Sequence, residues 1–143
     1  MRGTLLPCDW AEPIGQKLYA QGIGWSRVGA DRPITIALAF LLHIGYNETN
    51  QKHHFKAHLD TEDGRPYPVE QPFVAEGVIE VGRPPGMRPG EESVVPLAAR
   101  LNQVVFQPGG YVWKLTVNDE QVALFPFTAT SPSPVMPFPP IPT

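Results

Sequence analysis

Residues 107–129, QPGGYVWKLTVNDEQVALFPFTA, constrain the fold of this chain more than any other stretch. Tyr111, Trp113, Leu115 and Val117 alternate with Val112, Lys114 and Thr116. A period of two is the pattern of a strand with one buried face. Pro108-Gly109-Gly110 reverses the chain before it, Asn118-Asp119-Glu120 makes a short polar turn after it, and Val122 to Phe127 runs back. The segment predicts a β-hairpin with Trp113 in the core. It contains no catalytic chemistry.

Strand and turn signals alternate through the rest of the chain. Residues 4–10 predict a first strand, Glu12-Pro13-Ile14-Gly15 a turn, and Leu18 to Val28 a strand interrupted by Gly22 and Gly24. Residues 34–43 are the most apolar run. Ile34, Ile36, Leu38, Phe40 and Leu42 form a face of large residues, and Thr35, Ala37, Ala39 and Leu41 a face of small ones. A central strand with its heavy face in the core has this asymmetry, and the small apolar face calls for a cover. Phe55, Ala57 and Leu59 alternate with His54, Lys56 and His58 in a half-exposed strand. Asp63-Gly64 is a turn dipeptide. Phe73, Ala75, Ile79 and Val81 share a face opposite Glu76 and Glu80, residues 82–92 form a stiff exposed loop, and Val94 to Leu101 is a further strand. The expectation is an all-β, immunoglobulin-like antiparallel β-sandwich of seven or eight strands over residues 1–129.

From residue 130 the character changes. TSPSPVMPFPPIPT carries six prolines and no charge. Proline fixes φ and cannot donate to a ladder, so residues 130–143 read as a Pro-rich apolar tail outside the domain. Val135, Met136, Phe138 and Ile141 punctuate it, where a plain linker would be polar. These four residues, together with Trp25, are the expected partner-binding positions.

The chemistry-bearing residues do not assemble into a site on spacing alone. His53, His54 and His58, with His43 earlier in the chain, invite a metal reading. In a strand, however, His54 and His58 are roughly 13 Å apart, and zinc ligands lie at about 2 Å from the ion. They are expected instead as exposed polar positions on a half-buried strand. Glu76 and Glu80 are separated by the same roughly 13 Å, beyond the reach of a paired-carboxylate glycosidase mechanism. Asp60-Thr61-Glu62-Asp63-Gly64 lacks the ligand spacing of a calcium loop. Lys52-His53-His54-Phe55-Lys56 is an isolated basic patch, and a net charge of -3 gives no pull toward nucleic acid. Cys8 is the single cysteine, which rules out an intrachain disulfide, and it reads as inert packing. No cofactor or metal is implied. The start, MRGTLLPCDW, is too short and polar for the apolar core of a signal peptide, so the expected compartment is the cytoplasm.

Four stretches carry a family likeness: Cys8-Asp9, Gly22-Ile23-Gly24-Trp25, Glu80-Val81-Gly82-Arg83-Pro84-Pro85-Gly86 and Pro108-Gly109-Gly110-Tyr111. On these, residues 6–129 resemble a family of uncharacterised single-domain β-sandwich proteins from actinobacteria and their phages. The resemblance implies a fold and supplies no catalytic residues. The tail after Thr130 looks like an addition to that pattern.

The functional expectation is a non-catalytic structural or binding module within a larger homo- or hetero-oligomeric protein assembly. A virion component, associated with a capsid or a phage tail, is its concrete form, with the C-terminal tail docking on a neighbour. The charged fraction of 17% fits extensive contacts. The alternative is a small-ligand or carbohydrate-binding domain that uses Trp25 and the loop 82–92. Trp25 lies in the glycine-rich stretch and is the better surface candidate among the tryptophans.

Overall fold

The computed structural model describes residues 1–131. They form an all-β architecture of ten strands: β1 (Arg2–Cys8), β2 (Trp10–Ile14), β3 (Lys17–Gln21), β4 (Arg27–Gly29), β5 (Pro33–Gly45), β6 (Lys52–Thr61), β7 (Val74–Glu80), β8 (Glu92–Val105), β9 (Gly109–Val117) and β10 (Glu120–Thr130). The one helical element among them is a 3-10 turn at Tyr46–Glu48. A three-stranded sheet has the order β1-β5-β8, a five-stranded sheet the order β4-β10-β9-β6-β7, and β2-β3 is a separate hairpin. All pairings are antiparallel except that of β4 with β10, which is parallel.

The number of strands exceeds the seven or eight expected, for two local reasons. The expected strand 18–28 is two strands, because Gly22 (φ 70°) and Gly24 (φ 101°) adopt left-handed conformations that end β3 before β4 begins. The expected turn at Glu12–Gly15 is strand as far as Ile14, and the reversal falls on Gly15 (φ 56°) and Gln16 (φ 65°). Two consecutive positive φ values make this a type I′ hairpin turn.

β5 organises the core. Ile36, Leu38, Phe40, Leu42 and Ile44 face the five-stranded sheet and pack in one cluster with Leu59, Trp113, Leu115, Val117 and Phe127. The opposite face of β5 carries Ala37 and Ala39, which form a second buried cluster with Cys8. Ala11, Leu18 and Ala20 of the β2-β3 hairpin pack onto that cluster. The cover that the small apolar face requires therefore comes from the chain itself. Small side chains on β5 let the hairpin approach closely.

Proline positions agree with the sheet order. Pro7 lies in β1 and Pro96 in β8, both edge strands. Pro126 lies in β10 where β4, paired only at Thr128–Thr130, does not reach. At each of these positions the missing N–H would not have served a second neighbouring strand.

The β9-β10 hairpin closes at Asn118 (φ 51°) and Asp119 (φ 66°), with Val117 opposite Glu120. Asn118 also ties this turn to β6. Its backbone N–H donates to the His54 carbonyl at 2.7 Å. Its side-chain oxygen accepts from the His54 N–H at 3.0 Å, and its amide nitrogen donates to His53 Nδ1 at 3.0 Å. His53 Nε2 then donates to the Glu48 carbonyl at 2.7 Å. His53, expected to be exposed, is 4% exposed and has both ring nitrogens engaged.

Replacing Asn118 tests this clamp. Asn118→Ala loses two side-chain hydrogen bonds, leaves His53 Nδ1 unpaired and strains the left-handed backbone, so it should cost about 2–3 kcal/mol. Asn118→Gly relieves the strain alone and should recover about 1 kcal/mol of that in urea unfolding. Equal stabilities of the two variants would contradict the account.

Candidate binding groove

A structure of two facing sheets has two lateral seams. On one side β1 lies against β10 and β9. Gly3 makes that approach possible: a Cβ there would sit 3.0 Å from Val122 Cγ2 and 3.1 Å from Leu115 Cδ2. This seam is closed. On the other side β7 and β8 are both free edges, and the seam between them is open. It forms a groove of about 230 Å³ with Leu38 and Trp113 at its base, Phe73, Val74 and Ala75 along one wall, and Ala99, Arg100, Leu101 and Asn102 along the other. Arg100 is the one charged residue among those lining it.

Trp113 is held by its neighbours in register, Leu59 of β6 and Phe125 of β10, and is 2% exposed. Its indole Nε1–H has no hydrogen-bond partner among the described residues. An unmet buried donor costs about 1–3 kcal/mol. The groove is thus an apolar slot over the Trp113 side chain, whose Nε1–H stays buried beneath it.

The other candidate residues are dispersed. His54 Nε2 lies 3.4 Å from Glu76 Oε2 on the exposed outer face of β6 and β7. His58 Nε2 is 3.7 Å from Asp60 Oδ2, and Lys114 Nζ is 3.1 Å from the same oxygen. No three His, Cys, Asp or Glu residues gather into a metal-binding group among the described residues. At the Asp63-Gly64 turn, the Gly64 N–H donates to the Thr61 carbonyl at 2.9 Å.

Trp25 stands edge-on to Phe127 at 5.9 Å. It joins an aromatic group in which Tyr67 stacks on Phe106 and Tyr111 on Phe127, with edge-on contacts between the two pairs. The loop 82–92 lies at the other end of β6: Glu80 is opposite Lys52, whereas Tyr111 is opposite Thr61. Trp25 and that loop therefore do not share one surface. Arg83 holds the loop to the 3-10 turn, lying 3.7 Å over the Tyr46 ring and donating to Thr49 Oγ1 at 3.1 Å and the Tyr46 carbonyl at 2.9 Å. Val135, Met136, Phe138 and Ile141 lie outside the described residues.

The family of unknown function DUF6941 matches residues 4–130, from within β1 to the last residue of β10. The chain belongs to this family. The DUF6941 match takes in every strand that forms the groove and ends where the Pro-rich tail begins. No curated protein and no solved structure matches the chain. No helix among the described residues is long and apolar enough to cross a membrane.

The groove was missed in the sequence because its walls lie far apart along the chain. Trp113 was legible as core but not as the base of an open seam. The signals that could have located it were Pro96 in β8 and Glu76 and Glu80 in β7, residues that edge strands tolerate.

Two side chains give direct checks on this geometry. Cys8 is fully buried under the β2-β3 hairpin, and its thiol donates weakly to the Ala37 carbonyl at 3.8 Å. Burial pushes the thiol above its usual range, opposed by backbone hydrogen bonds. Alkylation by iodoacetamide should be undetectable in native buffer and fast in urea. Native-state labelling at the rate of a free thiol would mean that the hairpin does not cover β5.

His58 is the second. Burial lowers its pKa from the usual 6.5, outweighing Asp60, with Lys56 and Lys114 adding to the depression. Its Nδ1 is buried without a partner. The unfolded chain then binds the proton more readily than the folded one. Stability from this residue is complete above about pH 6.5 and declines as pH falls toward the lower folded value. Urea midpoints between pH 7.5 and 5 should fall less steeply in His58→Gln than in the parent. An unchanged slope would contradict the assignment.

Proposed function

We propose that this DUF6941 protein is a non-catalytic, immunoglobulin-like sandwich module that builds into a larger protein assembly, with its C-terminal tail docking on a neighbouring subunit. A component of a phage virion, associated with the capsid or the tail, is the concrete form of that role. The observation that carries the reading is the open seam, in which two unpaired strand edges flank an apolar groove. Free edges offer backbone donors and acceptors to an incoming extended chain, and an apolar slot selects its side chains. The outer face of the five-stranded sheet adds to this, with Val78 61%, Leu124 51% and Val74 45% exposed. The uncharged, Pro-rich residues 132–143 supply a segment of matching chemistry.

Removal of the tail tests the proposal. β10 extends to Thr130, whose carbonyl accepts from the Ala30 N–H at 2.9 Å, so the cut belongs after Ser131. Size-exclusion chromatography with light scattering should show an oligomer for the full chain and a folded monomer for residues 1–131. Identical masses and identical partner co-purification would refute tail docking.

A further inference from the structure

We propose that the free edge of β7 pairs antiparallel with the β7 of a second copy of this chain, about a two-fold axis at Gly77, so that two five-stranded sheets become one. This rests on the assembly reading above and names the partner strand and its register. A pairing over the 7 residues of β7 is weak alone, and it gains from a tail that already holds two copies together.

Backbone direction leaves β7 ready to accept a strand. The Leu59 N–H donates to the Phe73 carbonyl at 3.3 Å, one step along the ladder from the His58 and Val74 pair. On its other side β6 turns the N–H and C=O of His54 to Asn118. Backbone groups alternate sides along an antiparallel ladder. Ala75, Gly77 and Ile79 therefore turn theirs to β6, and Val74, Glu76, Val78 and Glu80 turn theirs to the open edge. The remaining edges of the two larger sheets are poorer templates. β1 packs against β10 and β9, and β4 has only 3 residues. β8 carries Pro96 and a bulge beside Gln103 (φ 53°), both of which interrupt pairing. β7 has neither proline nor bulge.

Sequence and charge select the occupant and the register. No three alternate positions within residues 132–143 are free of proline, so the tail can offer side chains to the groove but not a ladder of N–H groups to this edge. A second β7 can. Centred on Glu76, the pairing would set Glu76 against the partner's Glu76. Centred on Val78, it would set Glu76 against the partner's Glu80. Like charges directly opposite are destabilising. Centred on Gly77, Glu76 meets the partner's Val78 and Glu80 meets the partner's Val74, and no carboxylate faces another. Within each copy Lys52 and Lys56 stand opposite Glu80 and Glu76, and His54 Nε2 lies 3.4 Å from Glu76 Oε2, so the carboxylates reach the edge already balanced. Val78, 61% exposed, gains cover. Gly77 falls on the axis as a non-hydrogen-bonded pair, where Cα atoms approach to about 4.5 Å. It has no side chain to hold the copies apart, and the Phe55 ring fills that space: a Cβ at Gly77 would lie 3.0 Å from Phe55 Cζ.

The test uses the full-length, ¹⁵N-labelled chain with its Val78→Glu and Val78→Lys variants, both at an exposed position of the outer sheet face. Two quantities are read: mass by light scattering, and amide exchange along β7. Val78→Glu sets a carboxylate against the partner's Glu76, whereas Val78→Lys sets an ammonium there. The expected result is an oligomeric parent in which the Glu76 and Glu80 amides exchange at least about tenfold more slowly than in Val78→Glu. Val78→Lys should keep that protection. The amides of Ala75, Gly77 and Ile79, bonded to β6, should exchange alike in all three. If the parent is an oligomer whose Glu76 and Glu80 amides exchange as fast as in Val78→Glu, the copies meet elsewhere. This inference then fails while the assembly reading stands. Equal loss of protection in Val78→Lys and Val78→Glu would refute the register and with it the proposal. A monomeric parent with both amides unprotected sinks the assembly reading and this inference together.

Discussion

The burial of β5 on both faces is the constraint from which the rest of the architecture follows. Its large side chains from Ile36 to Ile44 fill the gap between the two sheets, and its alanines support a hairpin on the other side. Side chains such as Leu38 and Leu42, 1% and 0% exposed, contribute about 1.5–3 kcal/mol each by leaving water. A strand buried in this way cannot lie at an edge, so β1 and β8 must flank it. The size difference between its faces decides which partner goes where. A sheet packs about 10 Å away over leucine and phenylalanine. The small β2-β3 hairpin settles directly on Cys8, Ala37 and Ala39.

That placement leaves the two seams of the molecule unequal. β1 reaches β10 because Gly3 has no side chain to hold them apart, and the seam is sealed. β8 has no counterpart to this contact on β7. On that side the core is reached through a slot lined by Leu38 and Trp113. The buried donor without a partner opposes stability, and the two unpaired edges are open to pairing with another chain.

Local patterns in the sequence were sufficient for the elements whose neighbours are near in the chain. The β9-β10 hairpin, the two-faced β5, the half-exposed β6 and β7 and the loop after them were all legible from period and turn residues. What could not be read depends on contacts made over long separations. His53 looks like an exposed histidine until Asn118 arrives, 65 residues later, to occupy its Nδ1. Trp25, which is half-buried, meets Phe127 edge-on across most of the chain's length. The parallel pairing of β4 with β10 joins three residues near Val28 to the end of the last strand, and no periodicity records such a pairing. The cover over Ala37 and Ala39 was anticipated as necessary. Its source was hidden because Gly15-Gln16 had to be recognised as a hairpin turn.

The central claim is that the seam between β7 and β8 is the face at which copies of this chain meet. Amide hydrogen exchange of the full-length protein, followed over a hundredfold range of protein concentration, tests it most directly. The account predicts that amides of Val74–Glu80 and of Ala99–Asn102 become protected as concentration rises, while those of β5 stay equally protected throughout. Exchange in β7 and β8 that is the same at every concentration would contradict it.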